Sequence, residues 1–445
     1  MRVVIVGGGR IGANLARVLV EDGHEVTLIE REESRLEPLR DELDALMVAG
    51  DGASPELLRR VRVEDSDLLL AVTRSDEVNV VAALIARQLG VGRTAARVRS
   101  SGYFETGDPV GHDVLGIDFV FDPERTVAEE IADAIKVPGA VNVEYFGQEQ
   151  LAVAESVLNE DSGLVGQALG DVVGEGRHLV VGATRDGHAI LPGDERALRA
   201  GDHVLVAAAR DEVAKAVAEV AGHAQRIKDA LVLGADEIGV QVAERLGAAS
   251  IDVTLMEPDA DRARRAAERL PNAVVLHEPT LSESQLTAAG VERVGALVAC
   301  TDDDRTNLLA AFDARRLGCG LILPVIFREE FEPFVQALEI ESPILPRLVA
   351  AAAVLRFVHG PRVLGTRELA EGGEVVELEV SGGAPISGRT VGQASLPEGS
   401  FIGVIVRDGD VVAPASEERI ETGDHVLVFL AGPTLDEVQA AFEER

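Results

Sequence analysis

The residues best suited to chemistry form a glycine-rich turn near the start of the chain. Residues 3–6 are a β-branched apolar run, and the sequence GGGRIG at residues 7–12 follows it directly. A helix-like stretch and a second apolar run come next, and that run ends at Glu30. An acidic residue about 20 positions beyond a strand, glycine turn and helix is typical of a dinucleotide-binding βαβ unit. The spacing therefore predicts a nucleotide site rather than a glycine turn without a ligand.

The phosphate-binding part of this site is assigned to the turn and the start of the helix. Gly7 permits the tight turn, Gly9 lets the backbone approach a phosphate, and Gly12 lets the helix pack close to the strand. The N-terminus of the helix supplies N–H groups and a partial positive charge for an anion. Glu30 is suited to accept hydrogen bonds from ribose hydroxyls, and it repels a 2′-phosphate. The phosphate-binding residues are predicted to be Gly7, Gly8, Gly9, Arg10, Ile11 and Gly12.

Polar residues at the ends of later predicted strands complete the site. Asp51, with Gly52 beside it, can accept a hydrogen bond from an adenine or ribose group, and Thr73 can line the phosphate path. Arg97 and Arg99 alternate along a predicted strand over 95–99, so both are expected to face one side. Two guanidinium groups suit phosphate oxygens, each contact being worth about 1.5–3 kcal/mol. A solvated or inter-subunit salt-bridge face is the alternative for this pair.

The order of predicted elements gives the fold class. Apolar strand-like runs alternate with helical patterns through residue 136, which predicts an α/β domain with a doubly wound parallel sheet. Shorter strands and a hairpin then predict a small α+β domain. Both patterns occur again, with Gly234 and Glu257 following Gly7 and Glu30 at a constant offset of 227 residues. The tandem duplication predicts Rossmann-like domains over 1–136 and 228–359, and small α+β domains over 137–222 and 360–445.

The second predicted cleft lacks the features of the first. Asp236 stands where the middle glycine of the turn is expected, and it brings a negative charge to the place of a pyrophosphate. His277-Glu278 replaces Gly50-Asp51, and only Arg328 follows the predicted fifth strand over 325–327. We therefore expect the second site to be degenerate or weak, retained for the fold and for assembly.

Composition and missing motifs exclude several classes of function. The 445 residues carry a formal net charge of −35, which disfavours nucleic acid and anionic lipid as partners. The most apolar helical stretch, 348–358, is well short of the ~20 residues of a membrane span. Neither Tyr103 nor Tyr145 has a lysine four positions on, and no P-loop lysine, zinc spacing or Ser–His–Asp order occurs. No catalytic residue and no metal site are predicted, so the chain is interpreted as a sensor rather than an enzyme.

Taken together, the motifs resemble the RCK (KTN) domain family. The small domains resemble the C-terminal domain of that family, and the doubled arrangement covers essentially the whole chain. The matching motifs, in chain order, are Val4-Ile5-Val6-Gly7-Gly8-Gly9-Arg10-Ile11-Gly12, Leu28-Ile29-Glu30, Gly50-Asp51, Ala71-Val72-Thr73 with Asn79, Ala96-Arg97-Val98-Arg99, Leu115-Gly116-Ile117-Asp118 and Pro123-Glu124.

The resemblance implies a cytoplasmic protein, peripheral at the membrane, that forms a tetrameric gating ring beneath a potassium channel or transporter subunit. It implies NAD(H), or ATP and ADP, as ligands of the first Rossmann domain. By position, residues 7–12 hold phosphates, Glu30 the adenosine ribose, and Asp51 the adenine side. Thr73 and Arg74 lie beside the ligand, and Arg97 and Arg99 reach the terminal phosphate. Two alternatives stay open: an NAD-dependent oxidoreductase, and an RCK subunit of another cation transporter that answers to a cyclic dinucleotide or a divalent cation.

Overall fold

The computed structural model describes residues 1–99, 103, 111–146, 150–172, 179–185, 188–190, 196–222, 226–338, 340, 343–359, 363–368, 374–397, 399–407, 410–430 and 435–442. The chain packs as two compact units. The first comprises Met1–Ala128, Val325–Phe334 and Pro343–Val358, and the second comprises the rest of the chain. Residues 223–225 and 360–362, at two of the predicted domain junctions, lie outside the described residues.

The first sheet contains six parallel strands. They are β1 (Arg2–Val6), β2 (Glu25–Glu30), β3 (Leu46–Ala49), β4 (Leu68–Ala71), β5 (Arg93–Arg97) and β6 (Phe119–Phe121). The helices of this region are α1 (Arg10–Glu21), α2 (Glu33–Arg40), α3 (Pro55–Arg60), α4 (Asp76–Leu89), α5 (His112–Leu115) and α6 (Pro123–Lys136). The strand order β3-β2-β1-β4-β5-β6 confirms the doubly wound prediction. Successive strands are added in one direction from β1 to β3 and in the opposite direction from β4 to β6. This change between β1 and β4 places a crevice at their carboxyl ends.

A small antiparallel sheet follows. Its strands are β7 (Ala140–Phe146), β8 (Leu151–Val157), β9 (Leu179–Arg185), β10 (His188–Ile190) and β11 (His203–Ala209), and its helices are α7 (Leu169–Val172) and α8 (Val213–Ala221). The strand order is β10-β9-β11-β8-β7. The predicted hairpin is present, because β9 and β10 pair antiparallel with His188 opposite Arg185.

The second half repeats the parallel sheet with five strands. They are β12 (Asp229–Leu233), β13 (Asp252–Glu257), β14 (Val274–His277), β15 (Ala296–Ala299) and β16 (Leu321–Pro324), in the order β14-β13-β12-β15-β16. The helices are α9 (Glu237–Ala248), α10 (Ala260–Arg269), α11 (Glu283–Ala288), α12 (Asp304–Arg316), α13 (Glu332–Ala337) and α14 (Pro346–His359). The order matches that of the first five strands of the chain, as a duplication requires.

The second small sheet repeats the topology of the first. Its strands are β17 (Val363–Glu368), β18 (Glu374–Glu379), β19 (Ser400–Arg407), β20 (Asp410–Val412) and β21 (His425–Leu430), and α15 (Leu435–Gln439) follows them. The order is β17-β18-β21-β19-β20. One hydrophobic cluster takes residues from both small sheets, including Val153 and Leu205 from the first and Leu427 and Phe429 from the second. The two small domains therefore share a core.

Local sequence signals explain where the site-bearing helices begin and end. Ser75 precedes α4, and its hydroxyl accepts a hydrogen bond from the Val78 amide at 3.3 Å, as is typical of an N-cap serine. The helix ends at Gly90, whose φ of 103° is the left-handed conformation that glycine adopts without strain. β4 is buried along its whole length, because its sheet is covered on both faces.

The predicted positions of both fifth strands are wrong by a few residues. β5 was expected over 95–99, but its register with β4 starts at Arg93, and the strand ends at Arg97. Beyond it, the Arg99 amide donates to the Asp76 carboxylate, so strand alternation does not set the side that Arg99 faces. The second fifth strand was expected over 325–327. The ladder instead stops at Pro324, opposite the last residue of β15.

Helix α14 completes the core of the first unit, although it follows the second sheet in the chain. Its residues Ala351, Val354 and Val358 are buried in one hydrophobic cluster with Leu15 and Leu19 of α1. The ring of Phe357 stacks on Phe119 with 4.9 Å between centroids. A continuous apolar run in the sequence does not reveal which core it joins, so this placement was not predicted.

Arg93 holds the C-terminal end of α14, and this contact is open to test. Its guanidinium donates to the carbonyls of Phe357 and Val358 at 2.8 and 2.7 Å, and it lies over the Phe357 ring. Such charge-assisted bonds contribute about 1.5–3 kcal/mol each. We expect Arg93→Ala to accelerate hydrogen exchange at the end of α14 by about tenfold or more, measured by mass spectrometry. The exposed Arg87→Ala serves as control; equal acceleration in both variants would contradict the assignment.

Candidate functional site

The glycine turn between β1 and α1 is shaped by two close approaches. Gly7 has a φ of 112°, a backbone conformation that residues with a Cβ rarely adopt. A Cβ on Gly12 would lie 1.8 Å from the Gly7 carbonyl oxygen, so only glycine fits there. A Cβ on Gly9, by contrast, would meet nothing within 4 Å. The space beside Gly9 is therefore open to a ligand, while Gly7 and Gly12 are required by the fold.

The N-terminus of α1 is a suitable anion site. Within the described residues no side chain caps it, and its first turn carries no acidic residue. Its leading N–H groups and helix dipole therefore favour a negative charge next to Gly9. Arg10 is exposed, with its guanidinium carbon 5.0 Å from the centre of the Phe327 ring. Ile11 is partly buried against the core.

Glu30 connects the glycine turn to the end of β2. Its carboxylate accepts hydrogen bonds from the Gly8 amide at 2.7 Å and the Glu32 amide at 2.9 Å. The residue is 9% exposed. Each carboxylate oxygen can accept more than one hydrogen bond. Glu30 therefore fixes the turn first, and it retains acceptor capacity for a ligand hydroxyl.

Asp51 and Gly52 lie at the end of β3. The Asp51 carboxylate accepts from the Ala53 amide at 3.0 Å, which closes a local turn and leaves the side chain exposed. Gly52 is buried against β1: a Cβ there would lie 2.0 Å from a methyl carbon of Val6. Gly52 thus brings the Asp51 turn close to the carboxyl end of β1.

Thr73 is held at the end of β4 by a buried asparagine. Asn79 Oδ1 accepts from the Thr73 amide at 2.8 Å and from its hydroxyl at 2.7 Å, and Asn79 Nδ2 donates to the Thr73 carbonyl at 3.0 Å. Nδ2 also donates to the Arg97 carbonyl at 2.8 Å. Asn79 is fully buried, so it shapes the turn from inside and links the ends of β4 and β5.

The two predicted phosphate-binding arginines have separate partners. Arg97 is buried and forms a short ion pair with Glu124 at the start of α6. Arg99 is exposed; it donates to the Arg74 carbonyl at 2.8 Å and lies 3.6 Å from the Asp76 carboxylate. Among the described residues, Arg97 Nε is buried without a hydrogen-bond partner. The Arg97 guanidinium thus keeps an unused donor at the carboxyl end of the sheet.

Asp122 lies beside this ion pair. Its Oδ1 accepts from the amides of Glu124 and Arg125 at 3.0 and 3.2 Å, which caps α6. Burial, followed by the hydrogen bond to the Glu124 carboxyl, raises the pKa of Asp122 to about 7. Burial and the neighbouring Glu124 carboxyl therefore keep a proton on Asp122 near neutral pH.

The second cleft is filled by its own side chains. The Ala235 amide donates to Glu257 at 2.7 Å, as the Gly8 amide does to Glu30. Asp236 occupies the position of Gly9, and Arg262 contacts Asp236 at 3.2 Å and Glu257 at 3.0 Å. Burial raises the pKa of Asp236, and Arg262 opposes that rise. The guanidinium therefore bridges the two groups that would receive phosphate and ribose.

Sequence reasoning missed the contacts of three residues in these clefts. Glu124, although it belongs to a matching motif, and Phe327 are distant in sequence from the side chains they contact, so no local pattern could have shown those contacts. Arg262 follows Glu257 by five residues and lies in the first turn of α10, but this spacing alone does not predict the contact, because the first half has an arginine at the same spacing after Glu30. Its first-half counterpart, Arg35, contacts Glu32 at 2.9 Å instead, and Glu30 is left without an arginine contact among the described residues.

Fold and site together define a tandem Rossmann protein with one open and one filled nucleotide-type cleft. The family model of the TrkA-N domain matches residues 3–123 and 230–345, and that of the TrkA-C domain matches 153–221 and 375–443. The chain belongs to the TrkA family. The Trk system potassium uptake protein TrkA of Halomonas elongata is 31% identical over 97% of this chain and 96% of its own length. The proteins of the same name from Azorhizobium caulinodans and Haemophilus influenzae are 30% and 29% identical over 99% and 100% of this chain, and over 98% and 99% of their own lengths.

Solved structures with the same fold include the GsuK channel. It superposes with a TM-score of 0.67 at 18% identity, over 97% of this chain and 77% of that chain. A structure titled as the GsuK channel bound to NAD gives a TM-score of 0.66 at 18% identity, over 99% of this chain and 79% of that one. These likenesses confirm the predicted tandem fold. Among the described residues, no helix has the length and apolar character needed to cross a membrane.

The raised pKa of Asp122 makes stability depend on pH. At pH 6 Asp122 keeps its proton in the folded protein, whereas the carboxyl of the unfolded chain, with its ordinary pKa of 3.8, has lost it. The stabilisation that this proton gives to the folded state is therefore lost as pH rises through about 7. Asp122→Asn keeps a capping oxygen and does not titrate. We expect its Tm, relative to wild type, to rise between pH 5 and pH 8 in thermal unfolding. The exposed Asp44→Asn should show no such trend, and parallel curves for Asp122→Asn would contradict the account.

Proposed function

We propose that this chain is a nucleotide-sensing regulatory subunit of a Trk-type potassium transporter or channel subunit. Membership of the TrkA family supports the partner, because the curated relatives are Trk system potassium uptake proteins. Nucleotide sensing is supported by the open space beside Gly9, at a helix N-terminus that no described side chain caps. The equivalent space in the second cleft is filled by Asp236 and Arg262. A non-enzymatic role agrees with the family membership and with the open cleft.

The ligand we propose is NAD(H) or an adenine nucleotide such as ATP or ADP, bound in the first cleft only. Residues 7–12 contact its phosphates, and Glu30 accepts from a ribose hydroxyl. Asp51 and Gly52 border the adenine side, and Thr73 and Arg74 lie along the phosphates. The neighbours titled as GsuK bound to NAD and to ADP support these ligand classes.

The terminal phosphate is assigned to Arg97 and Arg99. Arg97 has an unpartnered Nε among the described residues, but Glu124 already holds its terminal nitrogen. A phosphate must therefore share Arg97 with Glu124 or displace it. Arg99 is exposed and can turn towards a ligand from its position beside Asp76. A third phosphate engages these guanidinium groups more fully than a second one, and this difference would separate ATP from ADP.

Regulation then follows from differential binding. A nucleotide that prefers one cleft geometry shifts the population of the assembly towards it, and a tenfold preference per site corresponds to about 1.4 kcal/mol. Four cooperating subunits in a ring multiply that bias. We place such a homotetrameric ring in the cytoplasm, peripheral at the inner face of the membrane through its transporter. The domains involved are 1–136, 137–222, 228–359 and 360–445.

Exchanging the key residues of the two clefts tests the proposal. Gly9→Asp places in the first cleft the carboxylate that the second cleft carries, and the Cβ has room there. We expect it to lower the affinity for ADP, ATP and NADH at least tenfold in calorimetric titrations, since like charges repel at the phosphate position. It should also abolish the nucleotide dependence of potassium flux through a reconstituted Trk-type transporter.

Asp236→Asn is the matched control, because it changes the equivalent position in the filled cleft. It should leave affinity and a stoichiometry of one nucleotide per chain unchanged. Wild-type affinity in Gly9→Asp, or a loss of binding in Asp236→Asn, would contradict the assignment to the first cleft.

A further inference from the structure

A segment from the second half of the sequence contacts the proposed phosphate site of the first. Residues 325–334 belong to the same compact unit as the first sheet. Within this segment, the ring of Phe327 is partly buried and lies beneath the guanidinium of Arg10. The guanidinium carbon is 5.0 Å from the centre of the ring. Arg10 is the first residue of α1, so its guanidinium belongs to the helix end where an anion is favoured. The contact has the geometry of a cation–π interaction.

The segment is fixed to the unit at further points. The Ile326 amide donates to the Ile344 carbonyl at 2.9 Å, directly before α14. Glu332 forms a short ion pair with Arg347, whose carbonyl accepts from Asn14 of α1 at 3.1 Å. Arg10 and Asn14 are one helical turn apart and lie on the same face of α1. The start of α1 therefore touches both the segment and the beginning of α14.

The duplication provides an internal comparison. Glu237 is the first residue of α9 and corresponds to Arg10, but it contacts Arg269 at 3.3 Å. By strand register, Phe327 corresponds to Arg99 of the first half. At these two equivalent positions the described residues are therefore an acidic and a basic side chain, Glu237 and Arg99, in place of the arginine and the aromatic ring at the open cleft.

We propose that Phe327 is a displaceable cap on Arg10, so that a phosphate in the first cleft and the segment 325–334 compete for one guanidinium. This inference rests on the proposed nucleotide site. A charge-assisted contact to phosphate is stronger than a cation–π contact at an exposed position. A bound nucleotide therefore draws Arg10 away from Phe327 and loosens the segment that leads into α13 and α14. By linkage, the factor by which a bound nucleotide weakens the cap equals the factor by which the cap weakens nucleotide binding.

Phe327→Leu tests the cap, and Phe331→Leu is its matched control. Leucine keeps an apolar side chain but removes the π face, so we expect affinity for ADP to rise about two- to fivefold in Phe327→Leu. Phe331 lies in the same segment, beneath Arg328 at 4.3 Å, and its replacement should leave the affinity unchanged. Adenosine, which has no phosphate, should bind both variants like wild type. Saturating ADP should also accelerate hydrogen exchange in residues 325–334 of the wild type.

A double-mutant cycle distinguishes a cap, in which Phe327 acts through Arg10, from a purely structural role of Phe327 beside the cleft. In an Arg10→Gln background, where the guanidinium is gone, Phe327→Leu should change ADP affinity by less than 1.5-fold, about 0.2 kcal/mol. An unchanged or weaker affinity in Phe327→Leu alone would overturn the cap and leave the proposed function standing. A wild-type chain that binds neither ADP, ATP nor NADH would overturn both.

Discussion

The close packing of each glycine turn against its own strand is the constraint on which both clefts depend. Gly12 approaches the Gly7 carbonyl so closely that a Cβ would lie 1.8 Å from it, and the corresponding distance from Gly239 to the Gly234 carbonyl is 2.1 Å. In both halves a buried glutamate then accepts the amide of the second residue of the turn at 2.7 Å. These contacts aim a helix N-terminus at the carboxyl edge of the sheet. All of these contacts are made within the chain itself.

The two halves differ in the side chains that line the cleft above these contacts. Gly9 leaves space in the first cleft, whereas Asp236 and Arg262 fill the second with paired charges. Asp236 is half-buried, and a carboxylate left there without a cation would be disfavoured, so Asp236 and Arg262 are interdependent. A few side-chain changes are thus enough to fill one copy of a duplicated cleft. The α9 dipole, the glutamate and the asparagine that holds Thr301 all remain in place.

The parts of this structure that were predictable from sequence are those fixed by neighbours in the chain. The glycine turn, the Ser75 cap and the strand order follow from local spacing and from the rules for parallel sheets. The end of β5 was not predictable, because it is set by the length of β4 and by the contact between the Arg99 amide and Asp76. The partner of Arg97 was likewise hidden: Glu124 is 27 residues away, and only the fold brings them together. The assigned roles of Arg97 and Arg99 remain predictions.

The docking of α14 gives a physical reason why a half with a filled cleft is retained. This helix supplies buried side chains to the core beneath α1, and Arg93 from β5 caps its C-terminal carbonyls. Without residues 343–358, this cluster would lose the buried side chains of Ala351, Val354 and Val358 and the Phe357 ring that stacks on Phe119. The first Rossmann domain therefore depends on the second half of the sequence for its own stability, irrespective of what that half binds. The same dependence gives the second half physical contact with the helix that carries the open cleft, which a separate domain joined by a flexible linker would lack.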